Sequence, residues 1–204
     1  MSNFSIAGVD IGNITSIFSG DIPGSSELII ESRISKYSDV KELGESEIFE
    51  IDDEKWVTNQ GLFKNEHLKF QKDNFLQLLY YGLGKTCEHD KIKLVIGIPA
   101  GQYNEYNNQL KQFIMENNFR KIKIGVGEKQ QVRNIYIEEV LVRPESYGIK
   151  YLKIINQCEK GVRTLAADIG GGSTDITIFD ENMKFIDGES FCLLYTSPSP
   201  RDTR

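Results

Sequence analysis

The chain has 204 residues, a net charge of −6, 39% hydrophobic and 26% charged residues, the proportions of an ordinary globular protein. An acidic balance argues against a nucleic-acid-binding surface of its own, and no apolar run nears the roughly 18 residues that a bilayer span requires. The start carries no basic segment followed by an apolar core, and Cys87, Cys158 and Cys192 have no metal-type spacing with His67 or His89, so free thiols, no zinc site and a cytoplasmic location are expected.

The first predicted elements form a hairpin. Phe4, Ile6 and Val9 lead to Asp10, Gly12 permits a tight turn, and Ile14 to Phe18 resumes an extended apolar run. Free N–H groups in such a turn make a concavity that binds anions, and the adjacent carboxylate can hold a hydrated Mg²⁺ bridging phosphates. The same Asp and Gly would equally serve an ordinary hairpin. Short strands follow at Leu28 to Ile30, Ile48 to Ile51 and Lys55 to Thr58. Asp73 is read as the N-cap of a helix with Phe75, Leu76, Leu78, Leu79 and Leu83 near helical spacing, feeding a buried strand from Lys93 to Ile98. A helix leading into a buried strand is the crossover of a parallel or mixed sheet.

Pro99 ends that strand, and Tyr103 to Asn117 is read as a second helix with Tyr106, Leu110, Phe113 and Ile114 on its apolar side. Two alternating runs come next, Lys121 to Val126 and Val132 to Val142, joined by a polar segment from Gly127 to Gln131. In the second run neither face is cleanly apolar. A helix from Ser146 to Gln157 would place Tyr147, Tyr151, Ile154 and Ile155 toward the core. The basic cluster Lys111, Arg120, Lys121 and Lys123 reads most simply as a solvated face.

A strand from Val162 to Ile169 then enters the second turn, LAADIGGGSTDITIF, Leu165 to Phe179. It repeats the design of the first, with Asp168, then Gly170, Gly171 and Gly172, Ser173 and Thr174 as hydroxyl donors, Asp175 as a second carboxylate and Ile176 to Phe179 as the returning strand. Each glycine between strands costs about 0.5 to 1 kcal/mol relative to alanine, which points to close backbone approach. Neither turn has the P-loop or dinucleotide-binding pattern.

The order AGVDIGN (Ala7 to Asn13), LVIGIPAGQY (Leu94 to Tyr103), VLVRPESYG (Val140 to Gly148) and LAADIGGGSTDITIF resembles the N-terminal half of an actin-like ATPase. Within that superfamily it is most similar to the prokaryotic plasmid-segregation branch, the ParM or StbA type, from about Phe4 to Phe191. The resemblance implies an α/β, ribonuclease H-like mixed sheet with flanking helices, comprising the first lobe and the start of the second. Its boundaries would be lobe I over 1–157 with a small inserted subdomain about 28–65, and the start of lobe II over 158–191. It implies ATP and Mg²⁺ between two lobes, with Asp10, Gly12 and Asn13 as the first phosphate loop and Asp168 with Gly170 to Thr174 as the second. Asp10 and Asp168 would face one another and hold the metal through its waters, with Asp175 as a further carboxylate. Glu145 falls where the family places the residue that orients the attacking water, a role that suits phosphoryl transfer; by itself it also reads as a first-turn helix glutamate after Pro144. Many members carry a lysine a few residues after the first glycine, where this chain has Ile17.

The resemblance further implies head-to-tail filaments whose ATP hydrolysis moves plasmid or phage DNA through a DNA-bound adaptor, with no direct nucleic-acid or membrane contact. A monomeric chaperone-type ATPase or a sugar-kinase-like phosphotransferase is the alternative within the superfamily; the IPAGQY and RPES segments favour the segregation branch. Cys192 to Asp202 reads CLLYTSPSPRD, which coincides with one reading frame of a transposase sequencing adapter, against the competing reading of a Ser/Pro-rich tail. Residues 192–204 are therefore expected to be non-native, with native sequence ending near Phe191. On that expectation the second lobe, with its adenine pocket, is missing, and ATPase activity belongs to the full-length protein rather than to this chain.

Overall fold

The computed structural model describes residues 3–192, apart from 65, 67, 126–129, 151–160 and 171–172. Its strands are β1 (Ser5–Ile11), β2 (Thr15–Ser19), β3 (Glu27–Glu31), β4 (Ile34–Lys36), β5 (Ile48–Ile51), β6 (Glu54–Thr58), β7 (Lys91–Ile98), β8 (Phe119–Ile124), β9 (Gln131–Pro144), β10 (Thr164–Ile169), β11 (Ser173–Phe179) and β12 (Phe185–Cys192). The helices are α1 (Phe75–Thr86) and α2 (Tyr103–Glu116). Among the described residues, nine strands form one mixed sheet in the order β3-β2-β1-β7-β9-β8-β5-β6-β4, and β10-β11-β12 form another. The chain divides into two compact units, Met1–Ile96 with Gln109–Val142, and Gly97–Asn108 with Arg143–Arg204.

In the first unit, β1 and β2 are antiparallel and β1 and β7 are parallel, with Ala7 opposite Leu94 and Val9 opposite Ile96. That parallel pair is the predicted crossover, and α1 makes it possible by covering the sheet. Ala7, Val9 and Ile11 alternate inward and are buried, as are Ile92, Leu94 and Ile96. Leu78, Leu79 and Leu83 of α1 and Leu110 and Ile114 of α2 are buried with them. Gly82 lets helix and sheet approach closely: a Cβ there would lie 2.1 Å from the Phe18 ring. Phe18 itself is fully buried, a burial worth about 1.5 to 3 kcal/mol.

Several expectations change. The α1 N-cap is Asn74, without a side-chain capping bond, because Asp73 is drawn outward to Lys64 at 2.6 Å. The mixed pattern of β9 resolves into two phases. Ile135 and Ile137 are buried, then Glu138 and Glu139 intervene, and the inward set becomes Val140, Val142 and Pro144. A single residue of slip exchanges the faces of a strand, so neither parity is apolar throughout.

Two of the four residues of the basic cluster, Arg120 and Lys123, are ion-paired. Asp52 and Asp53, both with positive φ, make the two-residue turn between β5 and β6. Arg120 meets Asp52 at 3.1 Å, and Lys123 meets both Glu50 and Asp53. Strand β4 and the last strand, β12, lay outside the sequence-predicted elements. Val126 and most of Gly127 to Gln131 lie outside the described residues.

The second unit has a small core of Ala166, Phe179 and Met183, against which Tyr147, Ile149 and Phe185 pack. Phe185 lies edge-on to Tyr103 at 5.1 Å between centroids. Its antiparallel hairpin β10–β11 and its neighbour β12 keep Leu165, Ile169, Ile178 and Ile186 exposed. The predicted helix from Ser146 begins later: Glu145 to Gly148 form a turn, helical residues start at Ile149, and Tyr151 to Gln157 lie outside the described residues. Cys158 and the tail from Leu193 lie outside them as well.

Candidate functional site

Both predicted hairpins form, and they form alike. In the first, Asp10 sits opposite Ile17 and Ile11 opposite Ser16. In the second, Asp168 sits opposite Asp175 and Ile169 opposite Thr174. Gly12 donates its N–H to the Thr15 carbonyl at 3.0 Å, and Gly170 donates to the Ser173 carbonyl at 2.9 Å. This corrects the expectation that the glycine N–H points outward, since in each turn it closes the hairpin. The two glycines differ in how tightly they are held: a Cβ at Gly12 would lie 2.5 Å from the Thr15 oxygen, a clash with backbone, whereas one at Gly170 would lie 3.2 Å from the Ser173 oxygen, a tight contact only.

The first turn belongs to the first unit. The side chain of Asp10 is 42% exposed, with its Oδ1 4.0 Å from the ammonium of Lys69. Asn13 is half-buried and its Oδ1 has no hydrogen-bond partner among the described residues, an acceptor left over at the tip of the turn. Lys72, 3% exposed, donates its ammonium to the Gly12 carbonyl at 3.2 Å. Sequence reasoning missed both lysines. Their signal was the KFQK string immediately before the α1 periodicity, two cations three residues apart.

The second turn and Glu145 share the other unit. Asp168 and Gly170 are exposed, Ser173 and Thr174 are half-buried, and Gly171 and Gly172 lie outside the described residues. Asp175 is 3% exposed, and its Oδ1 accepts the Ala100 N–H at 2.9 Å and the Ser190 hydroxyl at 2.5 Å. Ser190 Oγ in turn accepts the Gly101 N–H at 3.1 Å. The IPAG turn is thus tied to β11 and β12, with Ser190 a second residue missed from sequence. Gly188 permits the approach, as a Cβ there would stand 2.6 Å from that of Ala100.

Glu145 is 9% exposed. Its backbone is fixed on both sides: its N–H donates to the Ile98 carbonyl at 2.8 Å, and its carbonyl accepts the Thr177 hydroxyl at 3.2 Å. Ser146, next in the chain, has φ of 71°, and its hydroxyl is buried without a partner among the described residues. A non-glycine residue held there costs on the order of 1 kcal/mol or more, strain that clusters at functional sites. Glu145 and the Asp168 to Asp175 hairpin are therefore assembled in one unit, and the Asp10 to Thr15 hairpin in the other.

The residues present fit a phosphate and a hydrated divalent cation. Gly12 and Gly170 carry no side chain at the two turns, and Ser173 and Thr174, both half-buried, bear hydroxyls. Among the described residues no three His, Cys, Asp or Glu side chains gather to hold a metal ion directly.

Shifted protonation lies away from these turns. Burial pushes the Cys87 thiol up to about 11 and raises the hydroxyls of Tyr80 and Tyr81 above their ordinary value. Burial also raises Glu47, but its hydrogen bonds from Lys85 at 2.8 Å and Tyr81 at 3.0 Å hold it below the usual carboxylate value. Among the described residues no helix is long and apolar enough to cross a membrane.

Comparison with known proteins extends this geometry. No curated protein matches the chain. Among solved structures, a 15-stranded ParM filament from Clostridium botulinum aligns with TM-score 0.72 and 17% identity over 94% of this chain and 64% of that one. The Alp12 filament structure aligns at 0.68 and 18%, over 93% and 61%. Ta0583, an archaeal actin homologue in complex with ADP, aligns at 0.68 and 18%, over 92% and 60%. The chain thus spans 60 to 64% of the length of these structures. The family model for the N-terminal domain of actin-like proteins matches residues 8–148, and the chain, with its mixed sheet and paired Asp-x-Gly hairpins, belongs to the actin-like proteins.

Proposed function

We propose that the full-length protein binds ATP with Mg²⁺, assembles head-to-tail into filaments and hydrolyses ATP to drive plasmid or phage DNA segregation through a DNA-bound adaptor. The observation that carries this reading is the pair of register-matched hairpins, Asp10 to Ile17 and Asp168 to Asp175, with Glu145 pinned in the unit of the second. The filament structures of ParM and Alp12, and the ADP complex of Ta0583, support it by likeness of fold. They favour a filament over a monomeric phosphotransferase.

In this reading the backbone of the two turns binds the phosphates, with Gly12, Asn13, Gly170 to Gly172, Ser173 and Thr174 as the contacts. The cation, held through water by Asp10 and Asp168 with Asp175 nearby, supplies charge neutralisation. Asp175 has a second task, because its Oδ1 is already committed to Ala100 and Ser190. The Glu145 carboxylate, on a backbone fixed at both ends, orients the attacking water and takes its proton.

Sedimentation of the full-length protein with ATP or ADP tests the assembly. Pelleting in ATP and not in ADP is expected; a monomer at every concentration sinks the filament reading. Phosphate release tests the chemistry. Glu145→Ala should slow it by about two orders of magnitude or more while ATP binding and pelleting persist, and unchanged turnover would remove Glu145 from the mechanism.

A further inference from the structure

Ser146 follows Glu145 directly and is costly to the fold in two separate respects. Its φ of 71° lies in the left-handed region, where glycine is the unstrained residue. Its hydroxyl is buried with no hydrogen-bond partner among the described residues, and a buried hydroxyl left unpaired is destabilising. A serine ahead of a helical turn ordinarily caps it by accepting a backbone N–H. Here the hydroxyl accepts none, and the nearby donors are already used. The Tyr147 N–H donates to the Pro144 carbonyl at 3.1 Å, the Ile149 N–H to the Ser146 carbonyl at 3.1 Å and the Lys150 N–H to the Tyr147 carbonyl at 3.2 Å.

We propose that Ser146 is a second positioning residue for hydrolysis, its hydroxyl hydrogen-bonding the water that Glu145 activates. This inference rests on the ATP-hydrolysis reading and adds a residue which that reading does not contain.

Glycine at this position would relieve the backbone and remove the orphan hydroxyl together, so serine is the more costly choice for the fold. Strain of this kind persists where the surroundings over-determine it, and it clusters where a function uses it. The surroundings of Ser146 are fixed. The Glu145 N–H is tied to Ile98 at 2.8 Å, the Glu145 carbonyl to the hydroxyl of the fully buried Thr177 at 3.2 Å, and the Tyr147 ring lies edge-on to Phe179 at 6.0 Å between centroids. Consecutive Cα atoms are about 3.8 Å apart, so a water bound by the Glu145 carboxylate can also be reached by the neighbouring hydroxyl. An ionised carboxylate only accepts, which leaves the water free to turn about that one bond. A hydroxyl, as donor or acceptor, supplies the second contact that fixes its orientation. In the step itself the water oxygen bonds to the terminal phosphorus while the bond from phosphorus to the bridging oxygen breaks. That bond's electron pair leaves with ADP, and the water's proton passes to Glu145. Ser146 exchanges no proton.

The test measures phosphate release, the KM for ATP and a thermal melt for the full-length protein and its Ser146→Gly and Ser146→Ala variants. Both variants should release phosphate about tenfold more slowly at saturating ATP, the loss of one hydrogen bond, with KM unchanged. Stability should not follow turnover. Ser146→Gly, which relieves the backbone and the orphan hydroxyl, should melt about 2 °C higher than wild type, and Ser146→Ala, which keeps a Cβ at the same φ, should melt no lower than wild type. Slower turnover in a protein at least as stable is an effect that a merely structural serine does not produce. Should Ser146→Ala fail to fold, Ser146→Gly decides alone. Wild-type turnover in the variants, the result if the hydroxyl serves only a structural water, overturns this inference and leaves the hydrolysis reading intact. Slower turnover accompanied by a lower melting temperature in both variants overturns it as well. Wild-type protein that binds ATP and releases no phosphate overturns both readings.

Discussion

Gly12 and Gly170 each donate to the carbonyl three residues on, and each turn sets its aspartate at the same register across the hairpin. Their surroundings differ. The first hairpin lies inside a nine-stranded sheet, with α1 packed on it so tightly that Gly82 meets the Phe18 ring, and with Lys69 and Lys72 beside its turn. The second belongs to a three-stranded sheet in which β10 is an edge, with Leu165 63% and Ile169 77% exposed. It is anchored instead by a polar knot of Asp175, Ser190 and the IPAG backbone. The same local turn is thus built into one region by apolar packing and into the other by buried hydrogen bonds.

The turns themselves give the largest expected separation. Gly12→Ala forces a methyl to 2.5 Å from a backbone oxygen that the hairpin must keep, whereas Gly170→Ala brings it only to 3.2 Å. The first should cost about 2 to 3 kcal/mol in urea unfolding, while in the second the smaller overlap is offset by about 0.5 kcal/mol of reduced unfolded-state entropy. Equal losses would mean that the two turns are equally tight, against the observed geometry.

The matched positions Ile17 and Asp175 sharpen the contrast. Asp175→Ala strips the Ala100 N–H and the Ser190 hydroxyl of their acceptor, a loss of about 2 kcal/mol. Ile17→Ala, at the same register and 40% exposed, should stay within about 0.5 kcal/mol. Urea midpoints of the two variants compare them directly.

Alkali offers a smaller lever on the first unit alone. Cys87, Tyr80 and Tyr81 are acids whose folded pKa is raised by burial above the ordinary value. The stability that they contribute is complete below pH 9 and is lost as pH rises, for Cys87 between its ordinary 9.0 and about 11. A loss of about 1 kcal/mol is expected between pH 7.5 and pH 9.5. Trp56, the single tryptophan and 7% exposed, lies in that unit, so its fluorescence during urea unfolding reads the effect. A midpoint that does not move would show the three groups already accessible.

Much of this was written in local pattern. Alternation placed β1, β2, β5, β6 and β7, helical spacing placed α1 and α2, and paired Asp-x-Gly strings placed both hairpins, because each of those signals is carried by residues adjacent in the chain. The mixed faces of β9 were illegible because the inward set changes phase at Glu138 and Glu139, which a fixed period averages away. Asp73 looked like a cap because capping is a local rule, and Lys64, nine residues back, overrode it. Lys72 was invisible as a site residue because its partner, Gly12, is 60 residues away.

The sequence by itself determined the order of elements, the two turns and their aspartates, since propensity, period and glycine geometry act over a few residues. Only the tertiary structure decided which distant groups those turns would meet. The ammonium groups at Gly12 and Asp10, and the clamp of Ala100, Asp175 and Ser190, arise from sheet register and helix packing. Desolvation then makes each such contact count, because a buried charge or N–H must find a partner wherever the fold has placed one.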